Sequence, residues 1–391
     1  MNILPVNWML SLQGIQLMSI SSYFVFNFIN RDISNIFLLL ALVLFLIDCK
    51  KLYERIKEQG LLVSAIILFS IWISFIGIYH QSPMHELDNY YRFLLLIPLL
   101  MITVKDHQLV LMLNVCALGA LGHLLWTYTV EDIGRYQGTS SNAITYANLC
   151  ALFFIMCIYF YFIKNHHSIY LLLSCLVFFI ILVLTQTRGP LIGIIFSFMY
   201  LIFIARTRLL VALISIVFIS LIFIPNPLSE RVKILSEIHS QSSIYSNNVQ
   251  LDDESLSIKE RVFYLQYGLE RIKNHTLVGI GPHRLEKEML DYTEKNSTNI
   301  KARDHLHNEF LDIGVKFGIP ALILLLLIYF ALYKSSDKDN RVMMNLILIM
   351  LMSSQLTQSQ FAHHQAITIF IILAYLISNL ITKKECDKIS N

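Results

Sequence analysis

Leu61-Leu62-Val63-Ser64-Ala65-Ile66-Ile67-Leu68-Phe69-Ser70-Ile71-Trp72-Ile73-Ser74-Phe75-Ile76-Gly77-Ile78-Tyr79 contains no charged residue. As a helix it would be about 28 Å long, the thickness of a bilayer's hydrocarbon core. Comparable runs lie on both sides of it, at about 8–29, 33–48, 91–104, 108–130, 144–163, 168–187, 190–205, 209–225, 310–333, 342–362 and 364–382. The expected fold is therefore all-α, a polytopic membrane protein with about 12 transmembrane helices. The composition agrees. Of 391 residues, 56% are hydrophobic and 15% charged, against about 45–50% and 25% in soluble domains. That excludes a disordered chain, a disulfide-stapled module and an ordinary soluble enzyme. A net charge of +3 gives no argument for nucleic acid.

The first run lacks a basic flank and a small-residue cleavage site, so it reads as a retained helix rather than a signal peptide. If the N-terminus is cytoplasmic, one set of loops and the tail hold Lys50, Lys51, Arg55, Lys57, Lys105, Lys164, Arg206, Arg208, Lys334, Lys338, Arg341, Lys383, Lys384 and Lys388. The opposite short loops hold only Arg31, Arg92, Arg135 and Arg188. This asymmetry follows the positive-inside rule and sets both termini in the cytoplasm. The division is then helices 1–9 over residues 1–225, a large periplasmic loop over 226–306, and helices 10–12 with a tail over 307–391. Four of the six cysteines fall in apolar runs and none has metal-ligand spacing, so they read as buried and structural.

The long loop contains no cysteine and must be organised by short amphipathic helices. Ser257-Ile258-Lys259-Glu260 reads as a capping box. Ile258, Val262, Leu265, Leu269 and Ile272 then recur at three- and four-residue spacing, which gives a helix of about four turns with Arg261 and Arg271 on its polar edge. Ser229 to Ile238 reads as a shorter helix of the same kind, and Gly279-Ile280-Gly281-Pro282 as a turn. No nucleotide-binding, GxSxG or HExxH motif is present. Nor is there a pair of Gly/Pro-broken helices at matching positions, as a transporter would suggest.

Several outward residues could carry chemistry. Arg188, in Thr187-Arg188-Gly189-Pro190, joins two apolar runs with almost no loop. It either snorkels at the interface or binds a ligand. Arg261 is either a solvated helix-face residue or a binding group. Arg135, in Gly134-Arg135-Tyr136, is a third outward arginine. Guanidinium groups grip phosphate bidentately and stay charged, so the three could hold a pyrophosphate. His305 and His307, in Asp304-His305-Leu306-His307-Asn308-Glu309, precede the tenth run. Histidine is the usual general base, although at an interface it is also a common structural group. Their spacing lacks the supporting ligands of a metal site. His363 and His364 are weaker candidates on the same side.

The order of these pieces resembles the O-antigen ligase/polymerase superfamily of bacterial inner membranes. Thr187-Arg188-Gly189 comes first, then the long outer loop with Arg261 and Asn274-His275-Thr276-Leu277-Val278-Gly279-Ile280-Gly281-Pro282. His307-Asn308-Glu309-Phe310-Leu311 follows, leading into Gly314 and Gly318. The likeness spans roughly residues 130–335. It implies a glycosyltransferase without metal or cofactor, acting at the periplasmic face of the inner membrane. Its donor would be a glycan on undecaprenyl pyrophosphate. For a ligase the acceptor would be the outer core sugar of lipid A–core. The resemblance matches His307 to the essential histidine and Arg188 and Arg261 to the arginines holding the pyrophosphate. His305, Asn308 and Arg135 are carried over more loosely.

Length, short inner loops and one dominant outer loop favour an O-antigen ligase. The alternative is an O-antigen polymerase with the same donor. A protein O-oligosaccharyltransferase would be longer. A lipid-linked glycan flippase would want charge near helix centres, whereas here it sits at helix ends. The chemistry agrees without the likeness, because a prenyl pyrophosphate is already an activated leaving group. Transfer needs cations for the leaving charge and a base for the acceptor hydroxyl. An unperturbed imidazole titrates near about 6.5, which predicts activity falling below about pH 6. Arg271, on the same helix as Arg261, is expected to tolerate truncation.

Overall fold

The apolar runs form helices that shuttle between two ends of one bundle. A computed structural model describes residues 12–45, 49–130, 136–139, 143–205, 253–296 and 300–381. The helices are α1 (Leu12–Asn27), α2 (Arg31–Phe45), α3 (Cys49–Glu58), α4 (Gly60–Tyr79), α5 (Asp106–Val130), α6 (Ala143–Phe162), α7 (Ile169–Leu184) and α8 (Gly189–Ala205). They continue with α9 (Asp253–Asn274), α10 (Leu285–Lys295), α11 (Glu309–Ser335), α12 (Arg341–Thr357) and α13 (His364–Ser378). Among the described residues, α4, α5, α6 and α11 are long and apolar enough to cross a bilayer; α7, α8, α12 and α13 are apolar but shorter. Among the described residues, four of the twelve expected spans thus reach bilayer length as single helices. The expected helices at 209–225 and Ser229 to Ile238 lie outside the described residues, as does Arg135.

Polar ties mark each end. At one, Gln59 Nε2 donates to Asn379 Oδ1 over 2.9 Å, Asn340 Nδ2 to the Leu380 carbonyl over 2.8 Å, and Lys164 pairs with Asp106 at 3.3 Å. Two-residue strands β1 (Val104–Lys105) and β2 (Leu380–Ile381) also pair there in parallel, Val104 opposite Leu380. The described lysines and arginines grouped by the charge asymmetry gather at this end. At the other end lie Asn27, bonded to Gln365, and the histidines before α11 and α13. Between the ends the core is apolar. α6 is buried almost throughout, with Cys150 and Cys157 in it, and the described free cysteines are all buried. The outward faces stay apolar too. Ile78 is 78% exposed and Phe203 82%, which water would penalise and lipid would not.

The expected span at 91–104 is not one helix. Short 3-10 turns at Met84–Glu86, Asp88–Tyr91 and Ile97–Met101 flank a single α turn at Arg92–Leu95. Pro98 has no N–H to donate and so cannot extend an α-helix from its own interior. Phe93, Leu99, Leu100 and Ile102 are buried, so this irregular backbone is wrapped in protein, where it can be tolerated at membrane depth.

α11 breaks at Gly318, whose φ is 80°. Pro320 has no N–H, which leaves the Lys316 carbonyl without its helical donor, and the Gly281 N–H fills that place at 3.1 Å. Ile280 N–H donates to the Val315 carbonyl over 2.8 Å, Ile319 N–H to the Thr276 carbonyl over 2.8 Å, and Trp72 Nε1–H to the Phe317 carbonyl over 2.9 Å. The glycine-rich stretch is thus more than a turn. It is a tie stitched into a broken helix, and a Cβ at Gly279 would meet the Lys316 backbone at 2.6 Å.

This tie anchors a cap made of α9, α10 and residues 300–308. A second small core holds it: Phe263, Tyr264, Tyr267, Ile280, Leu285, Met289, Ile300, Leu306 and Val315. The expected face of α9 is corrected here. Leu265 and Leu269 are 46% and 54% exposed, while Phe263, Tyr264 and Tyr267 are buried. Aromatic area outweighs the tidier aliphatic spacing. The capping box is not at the helix start either, because α9 begins at Asp253. Arg271 is no bystander. Its guanidinium lies over Tyr267 at 5.2 Å and Tyr292 at 5.6 Å and pairs with Glu288 at 3.8 Å, joining α9 to α10.

Candidate active site

Three loops meet where the cap touches the bundle: residues 300–308, the α7–α8 joint, and the turn from α12 to α13. His307 stands at the meeting point. Its φ of 53° is unusual for a residue with a side chain, and such backbone persists only where surrounding contacts fix it. Asn308 supplies much of that fixing. Its Oδ1 accepts from Leu311 N–H at 3.1 Å, capping α11, and its Nδ2 donates to the Leu356 carbonyl at 3.2 Å, tying the cap residue to α12. Both polar atoms of the Asn308 side chain are thus engaged with backbone.

The ring of His307 lies 4.5 Å from that of His305 and 5.8 Å from that of Tyr264. Its Nδ1 is 3.2 Å from Gln358 Oε1. Burial, with His305 and the cations Arg261 and Arg303 adding to it, lowers its pKa to about 4. The expected acid limit near pH 6 is thus displaced downward, and the imidazole is neutral at ordinary pH. His305 is 2.6 Å from Asp304, whose carboxylate this hydrogen bond holds near about 2. His363, 6.1 Å from His305 ring to ring, is likewise lowered to about 4 by burial.

The candidate arginines fall as follows. Arg261 is exposed on the first half of α9 and close enough to His307 to act on it electrostatically. Arg188 is half-buried just before α8, where Gly189 packs on Thr357; a Cβ there would lie 3.1 Å from Thr357 Oγ1. Thr357 precedes Gln358, so Arg188 comes to the same end of the bundle as the histidines. Arg303 was not singled out in the sequence. It acts on both His307 and Tyr264, and its buried Nε has no hydrogen-bond partner among the described residues. Gln358 and Tyr264 were missed as well. The run Ser353-Ser354-Gln355 through Thr357-Gln358-Ser359-Gln360 was the available signal, since polar groups at the end of a membrane helix are costly without a task. No group of three or more metal-ligating side chains occurs among the described residues.

The structure is thus a helical bundle with apolar outer faces, carrying at one end a neutral histidine in electrostatic range of Arg261 and Arg303. Residues 173–326 match the family model described as O-antigen ligase, and the likeness is confined to this part of the chain. That stretch contains Arg188, Arg261, His305, His307 and Asn308, and ends before Gln358. Members are glycosyltransferase-like enzymes, ligases and polymerases both. No curated protein sequence matches the chain.

Proposed function

We propose that the protein is an O-antigen ligase, moving a glycan from undecaprenyl pyrophosphate to the outer core sugar of lipid A–core at the periplasmic face of the inner membrane. The observation that carries this reading is a neutral, half-buried His307 with Arg261 and Arg303 in electrostatic range. A neutral imidazole can take the acceptor's proton. Arg188, Arg261 and Arg303 stabilise the pyrophosphate as its charge develops. Direct displacement by the acceptor oxygen would invert the anomeric carbon. The lipid tails of both substrates suit a bundle whose outer surface is apolar. No step requires a metal.

Purified protein given lipid-linked glycan and lipid A–core should form the joined product, with chelator making no difference. Elongation of the donor alone would make it a polymerase. Activity lost to chelator and restored by a divalent cation would turn the histidines into ligands. Reporter fusions at about residue 250 and at the C-terminus should report opposite sides of the membrane; same-side reports would break the assigned orientation.

A further inference from the structure

The turn between α12 and α13 contributes a side chain that touches two of the half-buried imidazoles. Gln358 closes α12 and is 2% exposed. Its Oε1 lies 3.2 Å from His307 Nδ1, and its Nε2 lies 2.6 Å from His363 Nε2. An amide oxygen can only accept and an amide nitrogen can only donate. The hydrogen must therefore sit on His307 Nδ1, which leaves Nε2 with its lone pair. His363 Nε2 must be unprotonated to accept from the amide. A bare Nε2 on each ring requires that both be neutral, as the burial of the two histidines favours. The turn itself is held by Glu309, fully buried at the start of α11, whose Oε2 accepts the Phe361 N–H at 2.8 Å.

We propose that Gln358 is a positioning residue that fixes His307 as the Nδ1–H tautomer and so makes Nε2 the atom that receives the acceptor's proton. This rests on the transfer reaction proposed above. In that reaction the acceptor oxygen bonds to the anomeric carbon as that carbon's bond to the pyrophosphate oxygen breaks. The electron pair leaves with the prenyl pyrophosphate and the proton goes to Nε2. The imidazolium then donates from Nδ1 to an amide oxygen rather than to a carboxylate. An amide orients the ring without the negative charge that would raise its pKa. The base stays weak and unprotonated over a wide pH range, and accepts its proton as the new bond forms.

The tautomer can be read without turnover. Full-length protein in lipid nanodiscs, with 15N-labelled histidine, should show His307 protonated at Nδ1 and bare at Nε2, assigned by difference from His307→Ala. Protonation at Nε2 instead would overturn the proposal whatever the activity. Gln358→Glu should move the acid limb of kcat upward by about 1–3 pH units, as a carboxylate beside an imidazole does. Gln358→Leu should lower kcat by about 10²-fold with donor KM little changed, as for a misplaced catalytic group. An unmoved acid limb in Gln358→Glu, or full kcat in Gln358→Leu, would also overturn it. If His307→Ala itself still transfers glycan, the underlying reaction fails, and the labelling result then judges Gln358 separately.

Discussion

The bundle and its cap follow opposite rules. In the bundle, α6 buries nearly every side chain, and those are almost all apolar. In the cap, the second core is small and rich in tyrosine, and charged groups are enclosed at its seam with the bundle. Asp312 and Lys316 pair at 2.8 Å with both buried, and Asp312 Oδ1 also accepts the Leu306 N–H at 3.1 Å. Buried charge is expensive, and breaking a buried pair by removing one partner leaves the other uncompensated. The lesson is that, among the described residues, the buried acidic and basic side chains Glu309, Asp312 and Lys316 gather beside the seam where residues 300–308 and 358–363 meet. Changes there should affect chemistry, and changes elsewhere should affect stability.

The largest effect should come from the seam itself. His307→Ala should reduce transfer by about 10²–10⁴-fold, the usual cost of losing a general base, while protein level and thermal stability stay near wild type. His305→Ala should cost less. Arg188→Ala and Arg261→Ala should each reduce transfer by about 10²-fold or more, with lysine restoring only part. Initial rates with purified donor and acceptor decide both. A fully active Arg261→Ala at normal protein level would remove that residue from the proposed pyrophosphate site.

The pH response separates the seam from solvent-exposed histidine. With His307 lowered to about 4, transfer should stay level from pH 7 to 5 and fall only as pH approaches 4. A limb near 6 would mean that the ring is hydrated in the working enzyme. The sign for stability follows. The folded pKa lies below the free value of about 6.5, so the unfolded chain binds more protons between them. The contribution of His307 and His363 is complete above about 6.5 and erodes as pH falls toward 4. Melting temperatures at pH 5 should therefore lie below those at pH 7.

Much of this was legible in the sequence, for identifiable reasons. Apolar runs as long as 61–79 have few alternatives to a bilayer-spanning helix. His307 and Asn308 stand at the abrupt start of such a run. Other features depended on contacts distant in the chain. The 91–104 run reads as apolar and continuous, yet Pro98 and enclosure by other helices make it a broken segment. Gln358 looks like the frayed end of a span until the fold sets it against His307, 51 residues away. Arg303 gains meaning only beside Tyr264.

The tie between cap and bundle should show in stability before activity. Gly318 has a φ of 80° and a Cβ there would collide with the Leu277 carbonyl. Gly318→Ala should destabilise by about 1–3 kcal/mol, the range for enforced backbone strain, seen as a lower melting temperature. Arg271→Ala should loosen α9 from α10 and make the cap more sensitive to protease, contrary to the tolerance its polar position suggests. Equal protease resistance in that variant would mean that the tyrosines hold the cap unaided.

The smallest expected effect tests which face of α9 is buried. Spacing alone selects Leu265 and Leu269 as the inward stripe, whereas the structure exposes both and buries Phe263 at 1%. Truncating a buried phenylalanine typically costs about 3–5 kcal/mol, because a cavity is left as well as lost transfer energy. Substitutions on an open surface usually stay within about 0.5 kcal/mol. Phe263→Ala should therefore lower the melting temperature sharply, and Leu265→Ser should barely move it. The two sites are two residues apart on one helix, and helix propensity alone would favour the alanine variant over the serine one, the opposite of the expected order. If Leu265→Ser destabilised as much as Phe263→Ala, α9 would be rotated from the orientation described. Arg261, four residues before Leu265 and on the same side of the helix, would then turn inward, and its assignment to the pyrophosphate would have to be rebuilt from that new orientation.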